Sequence, residues 1–250
     1  MKKGRSSSSL LSAFGHYLQG ETALSERRQA HPEPSIVISR ETGAGALTVA
    51  ELLEKKLSHD GRDGSWTIFD RNLAQEILTE PNLSPEVAKW LAEDTGLPVE
   101  NIIAEMLGIR PTNWTLIQQT TRAILRLVRS GRAIVVGRGA EVITRRLSFV
   151  IRVRLVAPLN KRIRHTAEFY HLTREKAAEY VEKSDQGRRA YLRQYFSADP
   201  DDPHLYDMIL NTGSMSFEQT AHLIAEAVSP LRLHEHAHRK HQQHGVGAHV

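Results

Sequence analysis

Ser35-Ile-Val-Ile-Ser-Arg-Glu-Thr-Gly-Ala-Gly-Ala-Leu-Thr48 is the stretch that decides the fold. Its β-branched start, Ser35 to Ser39, reads as a short strand buried on both faces. Gly43 and Gly45 then make a turn in which backbone can approach a ligand closely. From Ala46 to Leu57 the spacing becomes helical, with Leu47, Ala50, Leu53 and Leu57 on one side. A strand, a glycine turn and a helix start in that order present free N–H groups and a positive dipole end, a seat for phosphate. Against the pattern G-x-x-x-x-G-K-[ST], however, Arg40, Ala46 and Leu47 stand where Gly, Lys and Ser or Thr are required. An ordinary strand–turn–helix connection accounts for the loop equally well at this point.

The alternation continues outward. Trp66 to Asp70, Ala133 to Gly137, Phe149 to Val156 and Tyr206 to Asn211 read as four further strands. Helical patterns fall at Leu73 to Thr79, Pro85 to Asp94, Val99 to Leu107 and Asn113 to Ser130, the last stopped by Gly131. A final helix starts at the cap Ser216 and reaches Val228 before Pro230. Strands separated by helices predict an α/β three-layer sandwich: a five-stranded, mostly parallel sheet with helices on both faces. Sites in such sheets lie beyond the carboxyl ends of the strands.

The flanks read differently. Residues 1–34 begin Met1-Lys-Lys-Gly-Arg-Ser-Ser-Ser-Ser9 and end in the stiff His31-Pro-Glu-Pro34, a disordered or partly helical tail before a folded domain at 35–230. Three cations precede the first acid, Glu21, a faint transit-peptide character without the apolar core of a secretory signal. Residues 231–250 carry His234, His236, His238, His241, His244 and His249, read as a disordered tail that binds metal opportunistically, with no dedicated metal site. Asp199-Pro-Asp-Asp-Pro203 reads as a turn.

Composition narrows the class. The 250 residues are 40% hydrophobic and 25% charged, an ordinary soluble globule, and no apolar run reaches the length of a membrane span. Cysteine is absent, which removes disulfides, thiolate metal sites and thiol nucleophiles, and a cytoplasmic location is expected. The net charge of +4 is concentrated: from Thr121 to Phe196 there are 15 Arg and 3 Lys against 6 acids. Arg offers a planar fork matched to phosphate oxygens, so this excess points to a phosphate cleft, with solvated helix faces as the alternative. Sparse aromatics and the lack of any nucleic-acid-binding motif argue against nucleic acid as a partner.

Arginines also stand at the strand ends. The second strand ends in Asp70-Arg71, and the third in Gly137-Arg-Gly-Ala140, with Arg138 between two glycines. Glu182-Lys-Ser-Asp-Gln-Gly-Arg-Arg189 lies between two polar helices, with Gly187 interrupting the pattern. Ordinary ion pairs on a helix surface are the plain alternative for each.

In order and spacing these pieces resemble the cytidylate kinase-like family of P-loop kinases. The likeness rests on Ile38-Ser-Arg-Glu-Thr-Gly-Ala-Gly45, Phe69-Asp-Arg-Asn-Leu73, Val136-Gly-Arg-Gly-Ala140, Val153-Arg-Leu-Val-Ala157, Ser184-Asp-Gln-Gly-Arg-Arg189 and Tyr206-Asp-Met-Ile-Leu-Asn-Thr212. It implies a P-loop kinase-like fold with a helical lid. It also implies phosphoryl transfer from ATP or another nucleoside triphosphate, with Mg²⁺, to a nucleoside monophosphate. Carried onto this chain, Gly43, Ala44, Gly45, Ala46, Leu47 and Thr48 would cradle donor phosphates, joined by Arg40 and Arg162. Asp70, Arg71 and Arg138 would form the acceptor pocket. Arg138, Lys183, Asp185, Arg188 and Arg189 would be the catalytic set, the last four on a mobile lid that phosphate orders. Ala46 replaces the lysine of cytidylate kinases, Gly139 replaces an acidic residue, and Leu47 and Thr48 stand at Arg and Glu positions of the looser family. Loss of the loop cation makes a catalytically degenerate nucleotide-binding regulator or scaffold the alternative function.

Overall fold

The protein is seen in a computed structural model that describes residues 33–58, 65–70, 114–137 and 139–228. Both tails, the helical patterns between Leu73 and Leu107, and the candidate residues Arg71 and Arg138 lie outside the described residues.

Strand β1 (Ser35–Arg40) is the centre of the sheet. It pairs on one side with β3 (Ala133–Val135) and on the other with β4 (Val150–Val156), in registers Ile36↔Ile134 and Ile36↔Ile151. The outer strands are β2 (Thr67–Phe69) beside β3 and β5 (Met208–Asn211) beside β4, giving the order β2-β3-β1-β4-β5 with every pairing parallel. All five expected strands are present. Four are shorter than the apolar runs that predict them, β4 and β5 at their starts, β3 at its end and β2 at both.

Alternation along the central strands divides the core into two layers. Ile36, Ile38, Ile134, Val136, Ile151, Val153 and Leu155 face α1 (Ala46–Ser58) and the helix at 217–228, here α6, whose Val49, Leu53, Ile224 and Val228 complete that layer. The opposite face takes α2 (Trp114–Ser130), where the Ser35 hydroxyl donates to the Val128 carbonyl, and the short α3 (Ala140–Ile143). Helices therefore cover both faces, as expected.

The chain then forms α4 (Leu159–Tyr170) and α5 (Arg174–Phe196). Here the sequence reading needs correction. Instead of two polar helices broken at Gly187, α5 runs 23 residues without interruption. Thr173 caps its start by accepting from the Lys176 N–H, and a left-handed Ser197 ends it. Two apolar contacts hold the ends: Ala177 and Val181 against Ile163 of α4, and Tyr191 and Leu192 against Val142 of α3. A single interior glycine costs only about 1 kcal/mol, which those anchors outweigh. Among the described residues, no helix is long and apolar enough to cross a membrane.

Candidate functional site

The loop between β1 and α1 needs its glycines. Gly43 and Gly45 have φ of 82° and 81°. A Cβ at Gly43 would strike the Arg162 carbonyl and lie 2.6 Å from Thr166 Oγ1, and one at Gly45 would strike the Phe217 ring. Side chains tie down the loop carbonyls: His165 Nδ1 lies 3.1 Å from Gly43 O, and the Thr212 hydroxyl donates to Ala44 O at 3.0 Å. Those contacts fix the orientation of the peptide units that lead into α1.

At the head of this loop four polar groups converge on Asp185 of α5. Its Oδ1 accepts from the Thr42 N–H at 2.8 Å, the Thr42 hydroxyl at 2.6 Å and Arg188 Nη2 at 3.0 Å. Its Oδ2 accepts from Arg162 Nη1 at 2.7 Å. Arg188 Nη2 also reaches Thr42 Oγ1. Arg162, only 8% exposed, is fixed further by donating to the Ala157 and Thr42 carbonyls and by pairing with Glu41. Glu41 in turn accepts from the Ala157 N–H, which ties the loop to the start of α4.

The candidate residues separate into groups around this point. Arg40, Thr42 to Thr48, Asp70 and Arg188 line one cleft, closed opposite by Tyr180 and Tyr191 of α5 and by Phe169 and Tyr170 of α4. Ala46, expected as a loop contact, is 6% exposed, and Leu47 packs against the core. Lys183 stands exposed on α5 and is not among the cleft residues. Arg189 turns instead to Asp201 at 2.5 Å, and Arg193 to Asp199 at 3.0 Å, so the Asp199–Pro203 turn braces α5 from outside. Backbone and Arg193 hydrogen bonds hold the Asp199 carboxyl below its ordinary value.

A second, polar crevice lies next to the first, lined by Ser39, Arg40, Glu141, Arg154, Asp185 and Arg189 among others. Glu141, 1% exposed, accepts from the Ser39 hydroxyl at 3.3 Å, and its Oε2 has no partner among the described residues. Burial pushes its carboxyl up, against opposing pulls from a backbone hydrogen bond, Arg40, Ser39 and Arg154. Burial and the nearby Glu141 charge likewise raise the Tyr206 phenol, whose OH donates to the Pro200 carbonyl at 2.8 Å. Arg154 links Tyr206 to Asp201, which it meets at 2.7 Å.

Sequence reading missed Glu141, Thr42, Glu41 and the Arg154–Tyr206–Asp201 chain. Thr42 had a local signal, a hydroxyl directly before the first loop glycine. Glu141 had none, because its burial and its Ser39 partner, 102 residues away, come from the packing of α3 against β1.

No group of three His, Asp or Glu side chains among the described residues could hold a metal alone. Mg²⁺ bound through phosphates needs only one or two protein oxygens. Thr48 at the start of α1 and Asp70 at the end of β2 offer those in the loop cleft, so the residues fit a metal–phosphate complex.

The sequence profile of the cytidylate kinase-like family matches residues 35–214. Cytidylate kinase of Methanopyrus kandleri is 23% identical over 173 residues, 66% of this chain and 88% of that protein. Uronate isomerase of Corynebacterium glutamicum is 30% identical over 114 residues, 46% of this chain but only 22% of that protein, so the match spans about a fifth of that relative. The crystal structure of an uncharacterized protein from Eubacterium ventriosum aligns with a TM-score of 0.56 at 18% identity, covering 79% of this chain and 99% of that one. That last likeness is one of fold.

Proposed function

This chain belongs to the cytidylate kinase-like family, and from that premise we propose that it transfers a phosphoryl group from a nucleoside triphosphate to a nucleoside monophosphate. The observation that carries the reading is the convergence of the positive-φ glycine loop, the buried Arg162 and the lid residue Arg188 on one point at the head of the loop. Phosphoryl transfer asks a protein mainly to position its reactants and neutralise their charge, and this arrangement can do both.

In this reading an acceptor phosphate oxygen attacks the donor γ-phosphorus while the bond to the β–γ bridging oxygen breaks, and a nucleoside diphosphate leaves. The loop from Gly43 to Thr48 and Arg162 hold the donor phosphates, with Arg40 at the loop's entry. Thr48 and Asp70 would hold Mg²⁺ together with the triphosphate, and the ion would supply charge neutralisation. Arg138 and Arg71 hold the acceptor phosphate, and α5 covers the cleft and limits hydrolysis by water.

A second reading, nucleotide binding without turnover, is favoured by a specific observation. The position of the loop lysine is taken by a buried Ala46, and the neighbouring Leu47, partly buried against the core, brings no charge to the cleft either. A panel of nucleoside monophosphates with ATP and Mg²⁺ separates the two. Diphosphate formation with at least one acceptor is the expected result. Nucleotide binding with no product from any acceptor overturns the enzyme in favour of the regulator.

A further inference from the structure

We propose that the Asp185 carboxylate occupies a seat built for a phosphoryl group, and that a phosphate ligand binds there by displacing it. The inference rests on reading the loop as a phosphate site, and it adds an occupant that competes with the ligand.

The seat is defined by its donors. One backbone N–H, one hydroxyl and two guanidinium groups point at two carboxylate oxygens from distances of 2.6–3.0 Å. A backbone amide at a loop head together with converging arginines is the donor set of a phosphate site, and charge-assisted bonds of this kind are short and strong. Two of the donor groups are rigid. The Thr42 amide belongs to a loop whose carbonyls are tied by His165 and Thr212, and Arg162 is buried and held by the Ala157 and Thr42 carbonyls.

The occupant is the movable part. Asp185 sits on a helix anchored mainly at its two ends, and its side chain is 29% exposed, so it has a route out to water. Charge favours exchange. Arg162 and Arg188 bring two positive charges, and Glu41 and Asp185 bring two negative ones. Taking Asp185 out leaves a cationic seat, and a phosphoryl oxygen set brings more negative charge to the same donors than a carboxylate does. A protein anion that fills the seat therefore lowers the affinity for phosphate ligands and releases it once the ligand pays in stronger contacts.

The experiment uses inorganic tripolyphosphate, which needs no base pocket and no turnover. Full-length wild type and Asp185→Asn are titrated calorimetrically at fixed ionic strength. Displacement predicts at least tenfold tighter tripolyphosphate binding by the variant, and loss of that gain when Thr42→Val is added. In wild type, carbon-13 NMR of labelled aspartate reads the exchange directly, and the Asp185 carboxyl resonance should move on saturation. That measurement stands even if the variant fails to fold. Equal or weaker binding by Asp185→Asn, or an unmoved Asp185 resonance at saturation, overturns the proposal while leaving a phosphate-binding loop in place. Failure of both proteins to bind tripolyphosphate overturns it as well, and takes the phosphate reading with it.

Discussion

Asp185 and Glu141 line the same polar crevice at the end of β1, and their surroundings are opposite. Asp185 reaches over from α5 and accepts from a backbone N–H, a hydroxyl and two arginines. Glu141 is sealed beneath the strand ends, with one hydroxyl on Oε1 and no partner on Oε2 among the described residues. Donors, not depth alone, decide what a buried carboxylate can be. The first environment is made for a charge and the second works against one. Side by side, they give a loop-head seat that handles anions and a neighbouring position that favours a neutral acid.

The largest effect should come from removing the seat's fixed cation. Arg162→Ala leaves Asp185 and Glu41 facing each other without their shared partner. Breaking a mostly buried ion pair from one side costs several kcal/mol, and with Asp185 partly exposed about 3 kcal/mol is expected. Urea denaturation measures it. A loss below about 1 kcal/mol would make the seat no more than a surface pair.

Gly43→Ala attacks the same seat through the backbone. The residue holds φ of 82°, and its Cβ would meet the Arg162 carbonyl and Thr166 Oγ1. Strain plus collision should cost about 2–3 kcal/mol. Tripolyphosphate affinity should fall with it, since the Thr42 and Arg162 donors shift together. Retained stability with retained affinity would show that the loop can relax around the added methyl.

Glu141→Gln tests the other half of the comparison. Burial raises the folded carboxyl above its unfolded value of 4.5. The folded chain therefore binds this proton more tightly, and wild-type stability falls as pH climbs from 4.5 through the raised folded value. The amide imitates the protonated acid and has no such loss. Relative to wild type, the variant should be more stable at pH 7.5, with the advantage shrinking to nothing as the pH is lowered to 4. A stability difference that does not change with pH would mean that Glu141 keeps its charge.

What the sequence made legible follows the range of the interactions. Val and Ile runs at Ser35–Arg40 and Val150–Val156 announce buried parallel strands by composition alone, and Gly43 and Gly45 mark a turn locally. The pairing of Thr42 with Asp185 spans 143 residues and that of Ser39 with Glu141 spans 102. No spacing rule reaches that far. The resemblance puts Asp185 on the lid, but nothing in the sequence points to its partner at the loop head. Gly187 misled in the other direction. Its local signal is a break, yet contacts near both ends of α5 carry the helix through it.

That glycine gives the smallest effect and the sharpest test of whether α5 is continuous beside the seat. Gly187 lies two residues past Asp185 and one before Arg188, and nothing stands within 4 Å of where its Cβ would be. In an unbroken helix, alanine adds helix propensity and removes freedom from the unfolded chain at no steric cost. Gly187→Ala should therefore stabilise the protein by about 0.5–1 kcal/mol. Thermal melting should register this as a rise of about 1–4 °C for a domain of this size. At a hinge with left-handed backbone the same methyl would be strained, and the sign would reverse. A lowered melting temperature would restore the broken lid and leave Asp185 on a segment free to leave its seat. A raised one makes α5 a stiff bar, so that the exchange of Asp185 for phosphate is a movement of side chains against a fixed helix.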